Sequence, residues 1–287
     1  MSDFGKGFRE PGYSYQFMSE SFNSKYPRNL YKILDDMTRL SEPERSEVLW
    51  QTLTIELSPG LVPMPLADYV KLSDRLEERQ KPLFFKFLMK GLYYNSGLDP
   101  RSLVEEAAAL GRRIDERFRP YLYEGVGCLM VHRHPRKDET LSYRDAGALV
   151  PEGYRRWYYR GLSEPVYLEF MGEYLDRYAA CMAWMGEEYR PLYLEGVGDV
   201  LGKIGISYAM ERLPPEEPER VLLDGFLCSL PPGEREQILK GMREGIANYH
   251  TANNDIDVRR FAASLPPAFR EAGGIVTDGH ERREGTR

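Results

Sequence analysis

The sequence predicts an all-α protein, a helical-repeat array of about seven helix-hairpin units of roughly 37 residues, stacked as an α-solenoid or a superhelical bundle. Three observations predict it. A phrase recurs, RPYLYEGVG at 119–127 and RPLYLEGVG at 190–198, identical in its opening RP and its closing EGVG. A weaker copy extends it backward, since LSDRLEERQKPLFF at 72–85 aligns with LGRRIDERFRPYLY at 110–123. Finally, apolar residues recur three and four apart, while Val, Ile and Thr never alternate with polar residues between Asn-Gly or Asp-Gly turns.

From the N-terminus, residues 1–27 are rich in Gly, Ser, Tyr and Phe without a period and are expected as a tail or strap. Residues 28–273 form the array. Its register mark is a basic residue, at Arg45, Lys81, Arg119, Arg155, Arg190, Arg235 and Arg270, in steps of 36, 38, 36, 35, 45 and 35 residues. Proline or glycine stands at or just before the mark in LSEPERSEVLW, VPEGYRRWYYRG, LPPGEREQILKG and LPPAFREAGG, and an apolar helical pattern follows. Proline loses no hydrogen bond in the first turn of a helix, so each mark reads as the start of a hairpin's second helix.

The first helices are LADYVKLSDRLEER, DPRSLVEEAAALGRRIDERF and SEPVYLEFMGEYLDRYAACMAWM. Asp99 ahead of Pro100, and Ser163 ahead of Pro165, are helix-start signals. The stretch VHRHPRKDETLSYRD at 131–145 reads as a charged connection, and the loop ERLPPEEPER at 211–220 absorbs the 45-residue step. Residues 274–287 are polar and expected as a flexible C-terminal tail.

Glycine inside a helix costs about 1 kcal/mol relative to alanine, so its recurrence needs a reason. Gly125, Gly161, Gly196 and Gly241 fall six residues after the mark, and Gly127 and Gly198 follow two later. Close helix-to-helix approach is the favoured reason, and an opening for a ligand is the alternative. Tyr121, Tyr123, Trp157, Tyr158, Tyr159 and Tyr193 supply bulk beside these glycines. Five residues after the mark the charge alternates in sign: Lys86, Glu124, Arg160, Glu195, Lys240. That alternation fits ion pairs between neighbouring units, such as Glu124 with Arg160 or Arg160 with Glu195. A catalytic carboxylate pair would need both acids in one cleft, whereas Glu124 and Glu195 lie two units apart at about 10 Å per helix layer.

Charge and composition bound the function. The net charge is −6, with Lys and Arg spread along the chain, which argues against a nucleic-acid partner. No apolar run approaches the roughly 20 residues that span a bilayer, and MSDFGKGFREPGYSYQF lacks the apolar core of a secretory signal. A cytoplasmic location without membrane partners is the expectation. Cys128, Cys181 and Cys228 have no C-x-x-C spacing and are expected as small buried hydrophobes. His132 and His134 form an H-x-H with no acid or cysteine at helical spacing beside it, so no metal is expected and the segment reads as a solvated loop. No nucleotide-binding or hydrolase motif occurs, so neither catalytic residues nor cofactors are assigned.

The blocks RFRPYLYEGVG at 117–127, KIGISYAMERLPPEEPERVLLDGF at 203–226 and PPGEREQILKGMREGIA at 231–247 carry a resemblance. In them the chain resembles a bacterial family of unknown function whose genes lie beside enediyne polyketide synthase clusters. The resemblance implies an accessory role in the biosynthesis of a secondary metabolite and assigns no catalytic residue. No match is visible across residues 1–70, and the histidine-rich segment typical of that family's middle is absent.

Two functions follow as expectations. The first is a non-enzymatic scaffold or adaptor that binds a protein or peptide partner or self-associates, because stacked repeats expose long binding surfaces. The alternative is an accessory enzyme or small-molecule carrier with a pocket between hairpins, lined by Tyr123, Glu124, Tyr193 and Glu195.

Overall fold

Nine α-helices account for most of the described residues, among which there is no β-strand. The structure is a computed structural model and describes residues 70–252 apart from 72, 75, 79–80, 94–95, 135, 165–170 and 211–216. The expected strap at 1–27, the tail at 274–287 and the marks Arg45 and Arg270 lie outside those residues, and the helix read at 66–79 falls within them only in part.

The helices are α1 (Lys81–Tyr93), α2 (Pro100–Gly111), α3 (Arg119–Arg133), α4 (Thr140–Leu149), α5 (Glu152–Gly161), α6 (Met171–Trp184), α7 (Arg190–Met210), α8 (Pro218–Ser229) and α9 (Pro232–Ala252). Three described marks, Lys81, Arg119 and Arg190, open α1, α3 and α7, and Arg155 and Arg235 stand in the first turn of α5 and α9. The prolines explain the starts. Pro82, Pro120 and Pro191 take the second position of their helices and Pro232 the first, where a missing N–H has no partner to lose. Ahead of α2, the Asp99 carboxylate accepts from the backbone N–H of Arg101 at 2.9 Å and of Ser102 at 3.1 Å.

The chain divides into two compact units, one containing the described residues up to Arg133 with Ala148–Tyr158, the other His134–Gly147 with the residues from Tyr159 onward. In the first unit α1 packs along α3 and α2 covers α3. The buried side of α2 is Leu103, Val104, Ala107 and Leu110, the spacing of one helical face. It meets a core of Phe84, Phe85, Leu88 and Met89 from α1 and Leu122, Val126 and Leu129 from α3.

In the second unit α7 and α9 form the most extensive pair, and α6 packs on α8. Val197 and Leu201 of α7 and Ile238, Leu239 and Met242 of α9 are buried. The N-terminus of α6 is tied to α8 by Glu219, whose carboxylate accepts from the Met171 N–H at 2.6 Å.

The sequence missed α4. The stretch 131–145 was expected as a charged connection, yet α3 runs to Arg133, a 3₁₀ turn covers Lys137–Glu139, and α4 starts at Thr140. Tyr143, Ala146 and Val150 give this segment a buried side that its polar composition hides. Likewise His132 is a helical residue, where a loop was expected. The 45-residue step is absorbed in part by α7, whose 21 residues exceed the 15 of α3.

Candidate functional site

The positions five and six residues after each mark were the sequence's main candidates, and the structure gives them a common geometry. Gly125 of α3 has the carbonyl oxygen of Lys86 where a Cβ would stand, with the Met89 Cβ at 2.9 Å. Gly196 of α7 meets the Ser163 Oγ and, at 3.1 Å, the carbonyl of Arg160. Gly241 of α9 is filled by the carbonyl of Glu195. In all three cases the glycine six residues after one mark lies against the carbonyl five residues after the preceding mark.

The α7–α9 pair carries the contact further. Gly198 lies against the Ile238 carbonyl, Gly245 against the Asp199 carbonyl, and Gly202 has the Met242 carbonyl at 2.9 Å from its Cβ position. Two G-x-x-x-G runs therefore interlock, each glycine accepting the other helix's backbone. Gly127 is buried within α3, and Gly161 ends α5, where its carbonyl accepts from the Glu164 N–H at 3.2 Å. The close-approach reading of the glycines thus holds at Gly125, Gly196, Gly198 and Gly241.

The charged residues one position earlier pair across the same helix contacts. Lys86 Nζ lies 3.1 Å from Glu124 Oε1, and Lys240 Nζ lies 2.7 Å from Glu195 Oε1. Arg160 reaches Glu244 at 3.5 Å. Ion pairing between neighbouring marks was expected, with Arg160 as the partner of the two glutamates. Both glutamates pair with lysines at neighbouring marks, on the helices that the glycines bring closest. Glu195 in return holds the Lys240 ammonium above its ordinary pKa through their hydrogen bond.

The four residues expected to line a pocket, Tyr123, Glu124, Tyr193 and Glu195, are 3%, 5%, 1% and 7% exposed. Tyr123 and Glu124 belong to the first unit, Tyr193 and Glu195 to the second. The Tyr123 ring stacks on Tyr154 with centroids 4.7 Å apart and planes at 11°, and burial pushes its phenol up. Tyr193 stacks on Tyr178 at 6.1 Å and 10°, and burial drives its phenol well above 10.0, with Cys181 adding to the effect. Tyr178 donates its hydroxyl to Glu234 at 3.1 Å, and burial followed by that carboxylate raises its phenol far above the usual tyrosine range.

The mark arginines do something the sequence reading did not assign to them. Arg119 donates Nε to the Gly111 carbonyl at 2.8 Å, at the end of α2. Arg155 donates to Val150 at 3.0 Å and to Ala148 at 3.4 Å, at the end of α4. Arg190 donates to Met185 at 3.1 Å and Met182 at 3.2 Å, at the end of α6. Arg235 donates to Leu230 at 3.2 Å and Cys228 at 3.3 Å, at the end of α8. Each guanidinium therefore caps the helix that precedes its own, satisfying carbonyls that a helix C-terminus leaves open and placing positive charge at the negative end of its dipole. Lys81, with a point charge in place of a fork, pairs with Glu78 at 2.6 Å instead.

Two further arginines serve the same purpose from a distance. Arg133 donates to the carbonyl of Tyr93, the last residue of α1, and to that of Leu98 beyond it. Arg177, 1% exposed, donates to Leu162 at 2.7 Å and Glu164 at 3.0 Å beyond α5, with its guanidinium 5.2 Å from the Tyr174 ring centroid. The end of α3 uses a hydroxyl, since Tyr143 donates to the His134 carbonyl. The sequence showed the marks but not these caps, since the helix before Arg119 was read as running to Phe118 whereas α2 ends at Gly111.

Ser163, expected to start α6, turns its hydroxyl to the Arg160 carbonyl at 2.7 Å, and Pro165 lies outside the described residues. Cys128 and Cys181 are buried, as expected of small hydrophobes, whereas Cys228 is exposed on α8. Among the described residues no three His, Cys, Asp or Glu side chains converge in a way that would hold a metal ion, and no helix is long and apolar enough to cross a membrane. No protein-family model, curated protein or solved structure matches the chain.

Proposed function

We propose that the chain is a stack of two-helix hairpins acting as a non-enzymatic scaffold or adaptor, with a protein or peptide, or a second copy of itself, as the partner. The observation that carries this reading is the fate of Tyr123, Glu124, Tyr193 and Glu195, each less than a tenth exposed and each engaged by a neighbour in its own unit. Residues committed to ring stacking and internal ion pairs hold helices together, which leaves the outer faces for recognition. Support for the stack is the recurrence of one contact, glycine on carbonyl, at one register in three helix pairs.

Sedimentation equilibrium of the full chain over a range of concentrations, with chemical cross-linking in the native cell, tests the proposal. A concentration-dependent dimer, or one protein cross-linked reproducibly and lost when the exposed helix faces are made acidic, is the expected result. A monomer at every concentration with no reproducible partner overturns it. So does a small-molecule affinity that disappears in Glu124→Gln or Glu195→Gln while the fold survives, an outcome that restores the pocket reading.

A further inference from the structure

One region of the first unit runs against the charge of the whole chain. Residues 112–119 and 152–157 hold six arginines and three carboxylates, in a protein whose net charge is −6. Ring contacts join the two segments: Tyr121 of α3 and Trp157 of α5 pack with centroids 5.2 Å apart and planes at 58°, and Tyr123 stacks on Tyr154. Arg112, at the end of α2, lies beside them. Burial and Tyr154 raise the Tyr123 phenol, while the charges of Arg119 and Arg112 pull it back.

Two of the three carboxylates are already engaged. Asp115 holds Arg117 at 2.9 Å, and Glu116 lies 3.7 Å from Arg119. Arg119 and Arg155 also donate to carbonyls at the ends of α2 and α4. Arg112, Arg113 and Arg156 are exposed, and none of their guanidinium groups has a hydrogen bond or ion pair among the described residues. Arg156 stands 6.0 Å from the Trp157 ring centroid. Within the two segments, the exposed Glu152 alone is left to face three open guanidinium groups.

The rings beside these charges are partly open as well. Tyr121, Tyr154 and Trp157 are each incompletely covered. The Trp157 indole N–H meets no acceptor among the described residues and, unlike that of Trp184, is not sealed from water. Gly153, exposed in the first turn of α5, has nothing within 4 Å of where a Cβ would stand, so the approach to Tyr154 is clear. Tryptophan, tyrosine and arginine are the residues that carry most of the binding energy where proteins recognise one another.

We propose that this patch binds an acidic, proline-containing peptide segment of a partner protein. The proposal rests on the scaffold reading and names the chemistry of its partner. Aromatic-lined surfaces take polyproline II segments, whose backbone carbonyls have no internal hydrogen bonds and can accept the Trp157 N–H. Glutamates beside the prolines supply the charge that Arg112, Arg113 and Arg156 lack, in the forked geometry that guanidinium and carboxylate share. A nucleic acid fits less well, because a polyanion is repelled by the net charge of the chain and needs a longer row of cations than these three.

Fluorescence anisotropy of a labelled peptide of repeated Glu-Glu-Pro-Pro, titrated with the full chain, tests the proposal. The same peptide with Gln for Glu, the same peptide with Ala for Pro, and labelled oligodeoxythymidine are the comparisons. The acidic proline peptide is expected to bind, and each altered peptide to bind about tenfold or more weakly. Arg112→Ala combined with Arg156→Ala removes exposed side chains and is expected to weaken binding about tenfold while the helical circular dichroism is kept. A second measurement uses the unaltered chain: phenylglyoxal labelling of Arg112 and Arg156, read by peptide mass, is expected to fall when the peptide is present. No binding of the acidic proline peptide, equal binding of its Gln or Ala counterpart, unchanged affinity in the double variant, unprotected arginines, or a preference for oligodeoxythymidine overturns the proposal. The scaffold reading survives each of these results wherever cross-linking still returns one partner or sedimentation shows a dimer, so the two failures are distinguishable.

Discussion

The backbone carbonyl of Glu195 occupies the space in which a Cβ on Gly241 would stand, and one turn away on the same helices the Ile238 carbonyl does the same at Gly198. The contact is therefore reciprocal: α7 and α9 are close enough that each presents bare backbone to the other's glycine. Main-chain atoms of two helices have little freedom to move aside.

Gly241→Ala and Gly198→Ala are accordingly expected to destabilise the chain by about 2 kcal/mol or more each, because overpacking exceeds the gain in helix propensity. Gly225, on the exposed side of α8 with nothing within 4 Å of its Cβ position, supplies the control. Gly225→Ala is expected to stabilise by up to about 1 kcal/mol. Urea unfolding followed by circular dichroism measures all three, and a stabilised Gly241→Ala would refute the contact.

The arginine caps predict a modest and shared cost. Arg190→Ala removes donors from the Met182 and Met185 carbonyls at the end of α6 and is expected to cost about 1–2 kcal/mol. Arg190→Lys is expected to recover only part of it, since a lysine presents one point charge to two carbonyls. Equal stability of Arg190→Ala and the unaltered chain would show that the caps are incidental.

The two ion pairs predict unequal losses. Lys86 is 16% exposed in its side chain, whereas Lys240 is 56% exposed. Glu124→Gln removes a carboxylate 3.1 Å from a largely buried ammonium and is expected to cost about 2 kcal/mol or more. Glu195→Gln leaves a lysine that water already reaches, so the expected cost is about 1 kcal/mol or less. The order of the two unfolding midpoints is the test.

The buried phenols predict an alkaline transition. Tyr178 and Tyr193 have folded pKa values raised above 10.0, so their contribution to stability is intact below 10.0 and is lost as pH rises from there through the folded values. Spectrophotometric titration of the 20 tyrosines is expected to show a fraction that ionises only as the helical signal collapses. Tyr178→Phe and Tyr193→Phe should shrink that late fraction. A titration complete before any loss of helix would contradict the burial of both rings.

Much of this was legible in the chain. The all-α class follows from apolar residues three and four apart, and the helix starts follow from Pro82, Pro120, Pro191 and Pro232, because proline and its neighbours fix φ locally. The glycines six residues after Arg119, Arg190 and Arg235 announced close approach, since a residue that weakens a helix persists where a side chain cannot fit. Other features were illegible for a reason of the same kind. Helix α4 mixes apolar and polar residues, and which of them are buried is decided by its neighbours: Tyr143 and Ala146 are covered while Leu141 is exposed.

By itself, then, the sequence determined where helices begin and which of their positions must be bare, because both depend on the backbone within a few residues. Tertiary structure alone decided the partners. Glu195 takes Lys240, and Arg190 takes the end of α6. Such pairings depend on the distance between helices far apart in the chain, and charges attract whichever opposite group the packing of apolar faces brings nearest.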